Sequence, residues 1–284
     1  MYFLRKILIF FLVLLFVKSF AQQNIWSVGT AIVLDQNDYR YGAFLPFSYG
    51  LKNKLELSSN IIPFLLLPNI SAKKQWTNQR WIIATNHAIN YPSLALKAAA
   101  KTEFYDLLPD SSVIPQIIVF KNEILISRGF ANSKCNAFEK NSDEVRRYAN
   151  FIATLKLGFQ FALKFKESNF PVINEAFLYP RSSIYHDSTL LYCGFDIDGK
   201  LIPNFNYSID MDFMLINFKQ AAIEHKSMII WNKSSKLSFL LGYKLFYVPP
   251  LNNNKFFLMP FADFVWTITS NKKMELGLFG KKLF

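Results

Sequence analysis

Apolar and polar residues alternate with a period of two along several stretches of the chain. From Phe151 to Phe165 every odd-numbered residue is apolar, whereas Lys156, Gln160 and Lys164 stand at even numbers. A period of two puts the apolar side chains on one face of a β-strand and the polar side chains on the other. Such a stretch is longer than the roughly five or six residues usual in soluble strands. Its length suits a tilted strand that crosses a membrane.

The same alternation predicts strands at 41–50, 207–216 and 237–247. In the second of these, Asp210 and Asp212 occupy the polar face. Carboxylates are unfavourable against lipid and favourable toward a water-filled interior. The candidate residues that face the interior are the polar members of two predicted strands: Lys156, Gln160, Asp210 and Asp212.

Short polar connections separate the alternating stretches. Lys52-Asn53 and Lys121-Asn122 each lie between apolar runs and predict tight hairpins, and Pro203-Asn204 predicts a further turn. Residues 131–147 are polar and charged over a longer distance, so we interpret them as an external loop.

One segment does not alternate. Residues 92–108 are rich in Ala, Leu and Lys, which favour helices, and Pro92 stands at a suitable first-turn position. We therefore predict a short helical insertion here. It is either a surface helix within a loop or a constriction that folds inward and narrows the interior that the strands enclose.

The N-terminal residues have the pattern of an export signal. Two basic residues precede an unbroken apolar run at 7–17, and the small residues Ser19 and Ala21 follow it. As a helix this run would span about 16 Å of a hydrocarbon core about 30 Å thick, too little for an anchor. We predict a signal peptide at 1–21, cleaved between Ala21 and Gln22, and a single barrel at 22–284.

Composition narrows the fold class further. The chain has 284 residues, of which 51% are hydrophobic and 18% charged, against about 25% charged in average soluble domains. No later apolar run reaches the roughly 17–25 residues that a membrane helix needs, which excludes a polytopic helical protein. We predict an all-β fold, a transmembrane antiparallel up-and-down β-barrel of about 12 strands. A large soluble β-sandwich with one wet face is the alternative.

The positive net charge of +12 does not indicate a nucleic-acid site. The lysines are scattered instead of grouped with aromatic residues on one element, and an exported chain leaves the cytoplasm. Anionic lipid headgroups or a charged barrel interior explain the excess more simply. We therefore predict no nucleic-acid partner.

The sequence offers little catalytic chemistry. Two cysteines exclude a disulfide scaffold and a four-cysteine zinc site, and the three histidines lack metal-ligand spacing. We predict no metal, no cofactor and no catalytic residue. Residues 182–188 do contain Ser182, His186 and Asp187, the residue types of a serine hydrolase, although neighbours on a strand point to opposite faces. A bond between Cys135 and Cys193 is possible in an oxidising compartment and stays open.

Two segments resemble known proteins. Residues 49–64, YGLKNKLELSSNIIPF, resemble a hairpin common in outer-membrane β-barrel proteins of Gram-negative bacteria, and LSFLLGYKL with LMPFADFVW near the end resembles a late hairpin of such barrels. These barrels include transporter-like proteins of unassigned substrate. The resemblance implies location in the outer membrane, contact with its lipid, and assembly by the barrel-assembly machinery through a C-terminal strand that ends in Phe284. It transfers no catalytic residue.

These expectations favour a channel or transporter-like barrel, or a structural one, and leave the solute unknown. Two alternatives remain. The first is an outer-membrane lipid hydrolase that uses a Ser/His pair. The second is a barrel whose loops, chiefly residues 131–147, bind a partner.

Overall fold

The computed structural model describes residues 28–101, 114–130, 149–166, 180–248 and 255–270. Within these ranges twelve strands form a closed barrel in which each strand pairs antiparallel with its chain neighbours and β1 pairs with β12. The predicted all-β antiparallel barrel is therefore confirmed. The strands are β1 (Tyr39–Gly42), β2 (Phe47–Leu51), β3 (Leu55–Ser59), β4 (Asn69–Gln75), β5 (Ile82–Asn90), β6 (Ile117–Phe130), β7 (Phe151–Lys164), β8 (Thr189–Ile202), β9 (Phe205–Ile216), β10 (Gln220–Asn232), β11 (Leu237–Val248) and β12 (Lys255–Ile268).

The barrel has two ends, which we name by the strands. At the terminal end β1 begins and β12 ends, and at the distal end β1 ends and β12 begins. Strands β6 to β12 have 12 to 14 residues, whereas β1 to β4 have only 4 to 7. The wall is therefore lower on the side of β1 to β4.

The predicted helical insertion is observed as α2. Three short helices occur in the described ranges: α1 (Ile61–Phe64), α2 (Ser93–Lys101) and α3 (Ile184–Asp187). Leu96 of α2 is buried against inward-facing residues near the distal end, such as Ile117 and Leu190. The helix thus packs over the barrel mouth instead of lying free on the surface.

No helix in the part of the chain that the structure describes is long and apolar enough to cross a membrane.

Two of the predicted turns are confirmed. Lys52–Lys54 forms the single turn between β2 and β3, with Asn53 at φ 59°. Asn204 joins β8 to β9 at φ 66°. Asparagine suits both places because it tolerates the left-handed region better than other non-glycine residues.

The predicted hairpin at Lys121-Asn122 is wrong. Strand β6 runs through both residues and keeps its pairing with β7 along its whole length. Lys121 is an interior residue whose Nζ lies 3.2 Å from Glu123 Oε2. Asn122 takes the opposite face, where its Oδ1 lies 2.8 Å from Nδ1 of His87 on β5. The two polar residues therefore continue the alternation and do not end the strand.

The single strand predicted at 41–50 is also wrong, because the chain turns within it. Strand β1 ends at Gly42 and β2 begins at Phe47. The carboxylate of Asp263 on β12 accepts hydrogen bonds from three successive backbone N–H groups of the turn, at 2.8, 3.1 and 2.8 Å: those of Ala43, Phe44 and Leu45. The side chain of Asp263 thus accepts the hydrogen bonds that a neighbouring strand would otherwise accept. The local alternation could not reveal this contact between distant residues.

The outer face of the wall is largely apolar, and the inner face carries both polar and apolar side chains. Many outward-facing residues are apolar and exposed, including Leu155, Leu157, Phe213, Leu241 and Phe264. Inward-facing residues include many charged and polar side chains, and the even-numbered residues of β7 from 152 to 162 are buried. The buried polar and charged members of the wall include Glu56, Lys73, Glu123, Thr154, Lys156, Asp196, Asp212 and Glu224.

Several sequence predictions lie outside the described residues. These are the cleavage site at Ala21 and Gln22, the loop at 131–147 with Cys135, and the terminal Phe284. The strand that closes the barrel, β12, ends at Ile268. Cys193 is exposed on β8, and a bond from it to Cys135 stays open.

Candidate functional site

A cavity of about 500 Å³ lies inside the barrel. All four residues named from the sequence line it: Lys156, Gln160, Asp210 and Asp212. The lining contains further charged residues that the sequence did not identify as candidates, including Glu123, Arg181, Glu224, Lys226 and Lys244. Those on β6, β10 and β11 occupy inward positions of alternating strands, so a full assignment of faces could have found them.

Lys156 lies at the centre of an ion-pair network. Its Nζ contacts the carboxylate of Asp210 and lies 2.8 Å from Asp212 Oδ1. Strand β8 separates Lys156 from these strand β9 residues, and Gly194 on β8 pairs with both Lys156 and Asp212. A Cβ at residue 194 would come within 1.9 Å of Asp212 Oδ1. The bare backbone of Gly194 thus lets the lysine reach the carboxylate across the intervening strand.

Arg181 enters this network from a connection, not from the wall. It lies in the 3₁₀ turn Pro180–Ser183, which folds into the barrel from the distal end. Its guanidinium contacts the carboxylate of Asp212, and its Nε lies 3.2 Å from Glu224 Oε2. The guanidinium also stacks at 4.8 Å over the ring of Tyr192. Because this segment has no regular period, the sequence pattern gave no signal for Arg181.

A second polar group surrounds Glu123. Tyr192 donates a hydrogen bond of 2.8 Å to Glu123 Oε1, and Asn86 donates one of 3.1 Å to Glu123 Oε2. The Tyr192 ring reaches Glu123 by lying across Gly158, where an added Cβ would meet the ring at 2.0 Å. Gly158 therefore has no room for a side chain, although it stands on the polar face of β7.

The chain before β1 runs through the interior near the terminal end, where Ala31 and Ile32 pack against Ile82 and Ile152. We call residues 29–34 the inner segment. Thr30, Ala31, Ile32 and Val33 are at most 2% exposed, and Gly29 lines the cavity. The segment begins at Gly29, which lies close to the carboxylate of Asp196. From there it crosses the interior to the turn that precedes β1.

Side chains of the wall hold the inner segment in place. The N–H of Ala31 donates to Ser127 Oγ at 2.7 Å, and the N–H of Leu34 donates to Glu56 Oε2 at 2.9 Å. Lys73 Nζ donates to the backbone carbonyl oxygens of Thr30 and Ile32 in this segment, at 3.3 and 3.1 Å. Hydrogen bonds to side chains satisfy its buried backbone, as a buried segment requires. No feature of the sequence analysis predicted it.

Apolar side chains fill the distal end on the side of β6 to β10. Ile184 of α3 packs with Leu96 of α2 against inward residues of β6 to β10, including Leu190 and Met214. The polar cavity lies on the distal side of the inner segment and continues past this cluster to the distal ends of β3 to β5, where Asn60, Leu67 and Asn90 line it.

The serine and histidine residues of the hydrolase alternative are only partly described. Ser182 lines the cavity, and Ser183 Oγ donates to the Pro180 carbonyl at 2.6 Å. The side chains of His186 and Asp187 lie outside the described part. The hydrolase alternative therefore stays a prediction.

A different serine–histidine contact exists on the outer face. Ser227 Oγ lies 3.0 Å from His225 Nε2, and Tyr243 OH lies 3.3 Å from the same nitrogen. Among the contacts of the described residues no carboxylate reaches this histidine. Both hydroxyl groups contact the same ring nitrogen, so these contacts do not supply the third group that orients a catalytic histidine.

Neither a metal site nor a comparison with known proteins identifies a function for this site. Among the described residues no group of three or more His, Cys, Asp or Glu side chains could hold a metal ion. The loop alternative concerns residues 131–147, whose structure lies outside these ranges. No family model matches the chain, and the comparison with curated proteins also finds no match.

Proposed function

We propose that the protein is an outer-membrane β-barrel that admits small solutes to its charged interior and is closed by its inner segment. The observation that carries the membrane location is the exposed apolar surface on the outer face of the wall. Outward residues such as Leu241 and Phe256 are about two-thirds exposed, at 68% and 67%. Contiguous exposed apolar surface of this kind is unfavourable in water and marks contact with a partner or a membrane.

Aromatic pairs near both ends of the strands support this proposal. Near the terminal end, Phe130 stacks on Phe151 at 4.7 Å between ring centroids, and Trp231 stacks on Phe239 at 5.5 Å. Near the distal end the corresponding pairs are Phe120 with Phe161 and Tyr247 with Phe256, both at 4.9 Å. Membrane barrels carry such aromatic girdles on either side of an apolar band about 25 Å tall.

The dimensions of the strands are compatible with that band. Strand β7 has 14 residues, which at about 3.3 Å per residue and a tilt of about 40° span about 35 Å along the barrel axis. Its outward residues are apolar from end to end. The strand can therefore cross the apolar band and leave its ends in the interfacial regions.

The interior supports a role in solute passage. A volume of about 500 Å³ is within the range of about 300–1,000 Å³ usual for small-molecule sites. The inner segment blocks one side without belonging to the β-ladder. Displacing it therefore breaks hydrogen bonds to side chains and leaves the barrel wall intact.

The membrane part predicts how the purified protein behaves. We expect the mature chain to fractionate with the outer membrane and to migrate differently on mild-detergent gels before and after heating, because a closed barrel stays folded until heated. Quantitative recovery in the soluble periplasmic fraction without detergent would contradict the proposal.

Closure of the barrel by its inner segment predicts how the protein conducts ions. In planar bilayers the mature protein should give little current, and a variant that lacks residues 22–34 should show discrete open-channel steps. As a reversible control, the variant A31C/S127C, made with Cys135→Ser and Cys193→Ser, joins the inner segment to β6 where Ala31 N and Ser127 Oγ are 2.7 Å apart. Oxidation should suppress residual openings and a reductant should restore them. If the shortened variant is folded but conducts no more than the full mature chain, the inner segment is not the barrier.

A further inference from the structure

The charged groups of the cavity are unequal in number. Among its described lining residues, seven are cationic and five are carboxylates, so the lining surface carries a formal charge of 7 − 5 = +2, with Asp196 and Asp198 of β8 buried behind it. The cations are Arg40, Lys73, Lys121, Lys156, Arg181, Lys226 and Lys244. The carboxylates are Glu56, Glu123, Asp210, Asp212 and Glu224. A cleft lined by an excess of one sign concentrates ions of the other sign.

The cationic and anionic side chains also differ in how exposed they are within the cavity. Four cationic side chains are 19–26% exposed: Lys121, Arg181, Lys226 and Lys244. The five carboxylates are only 3–14% exposed. A solute inside the cavity therefore meets ammonium and guanidinium groups, whereas the carboxylates lie behind them at the wall.

The carboxylates hold these cations in position. Glu224 Oε1 lies 3.6 Å from Lys244 Nζ, and its Oε2 lies 3.2 Å from Arg181 Nε. Asp210 Oδ2 lies 3.4 Å from Lys226 Nζ while the other side of the same carboxylate contacts Lys156. The strand register brings the groups together, because Lys226 pairs directly with both Asp210 and Lys244 across β9, β10 and β11. Long side chains fixed at their heads form a preorganised anion site.

We propose that this cavity binds small soluble anions that carry carboxylate or phosphate groups, through Arg181, Lys226 and Lys244. The inference rests on the proposed function, since it names the class of solute that the barrel takes up. Arg181 supplies a planar fork that suits either group, and the two lysines supply point charges on the neighbouring strands. Lys121 extends the positive surface toward β6.

The test uses the mature full-length protein in detergent, with citrate, inorganic phosphate and the dication ethylenediamine as probes in titration calorimetry. We expect citrate or phosphate to bind, with an affinity that falls as salt rises, and ethylenediamine not to bind. The variant K226Q/K244Q should weaken anion binding about tenfold or more, since two charge-assisted contacts are lost. It should still fold, because Asp210 and Glu224 each keep a second cation, Lys156 and Arg181.

Two controls separate charge at the site from charge on the molecule. The variant K233Q/K236Q makes the same change in the turn between β10 and β11 and should leave anion affinity unchanged. The conservative variant K226R/K244R should retain binding. The proposal is overturned if ethylenediamine binds and the anions do not, if none of the probes binds, or if folded K226Q/K244Q binds anions as the wild type does. Because binding is measured without a membrane, it can fail while conductance by the shortened variant still supports solute passage, and it can succeed where no current is found.

Discussion

Replacing Lys156 by methionine should lower the free energy of unfolding by about 3 kcal/mol, the lower end of the usual cost of removing one partner from a buried ion pair. Its ammonium lies between the carboxylates of Asp210 and Asp212, and the side chain is only 7% exposed. Without it, among the described residues, Asp210 keeps only Lys226, at 3.4 Å, and Asp212 keeps only Arg181. Both of these cations are more exposed than Lys156. Methionine fills a similar volume, so the loss is mainly electrostatic. Denaturant unfolding in detergent, followed by the heat-modifiable gel shift, measures the effect.

Lys226→Met is the matched control for this prediction. Lys226 also contacts Asp210, at 3.4 Å, but it is 23% exposed and lies within reach of solvent. Asp210 keeps Lys156 in this variant, so we expect a loss of about 1 kcal/mol or less. Equal losses in the two variants would contradict the central role of Lys156 in the network.

The sequence predicts the faces of individual strands well because each depends on a local period. The alternation in β7 and β9 identifies Lys156, Gln160, Asp210 and Asp212 as one polar set, and all four line the same cavity. It does not predict which groups meet. The contact between Lys156 and Asp212 depends on the register of three strands and on the lack of a side chain at Gly194. Register is set by pairing across the sheet, which local alternation does not determine.

Features outside the repeating pattern are harder to predict. The inner segment contains consecutive apolar residues from Ala31 to Leu34, which indicate burial but not the partner that covers them. Arg181 reaches the network from an irregular turn, and Asp263 shapes a turn more than 200 residues earlier in the chain. Each of these depends on contacts between distant parts of the sequence. A single sequence contains no local signal for such contacts.

The other large effect concerns the outer face at the middle of β7. Replacing Leu157 by arginine should cost about 2–4 kcal/mol of barrel stability in lipid, the penalty for an arginine that faces the midplane of a bilayer. Leu157 is already 51% exposed. In a soluble protein a substitution at such a surface position usually changes stability by no more than about 0.5 kcal/mol. The two environments therefore predict clearly different results for the same change.

Leu201→Arg provides the control with the same chemistry at another depth. Leu201 is 58% exposed and stands one residue before the end of β8, close to the terminal end of the barrel. An arginine there should cost only about 0–1 kcal/mol, since its side chain can reach the interface. Unfolding of both variants in liposomes measures the difference. Because the residue types and exposures match, a larger loss at Leu157 can arise only from depth in the apolar layer or from local packing.

Labels on single cysteines at 155, 157 and 160, in a Cys135→Ser and Cys193→Ser background, separate those causes. Spin-labelled lipid should quench the first two and spare the third, and equal quenching at all three would contradict a lipid-facing wall.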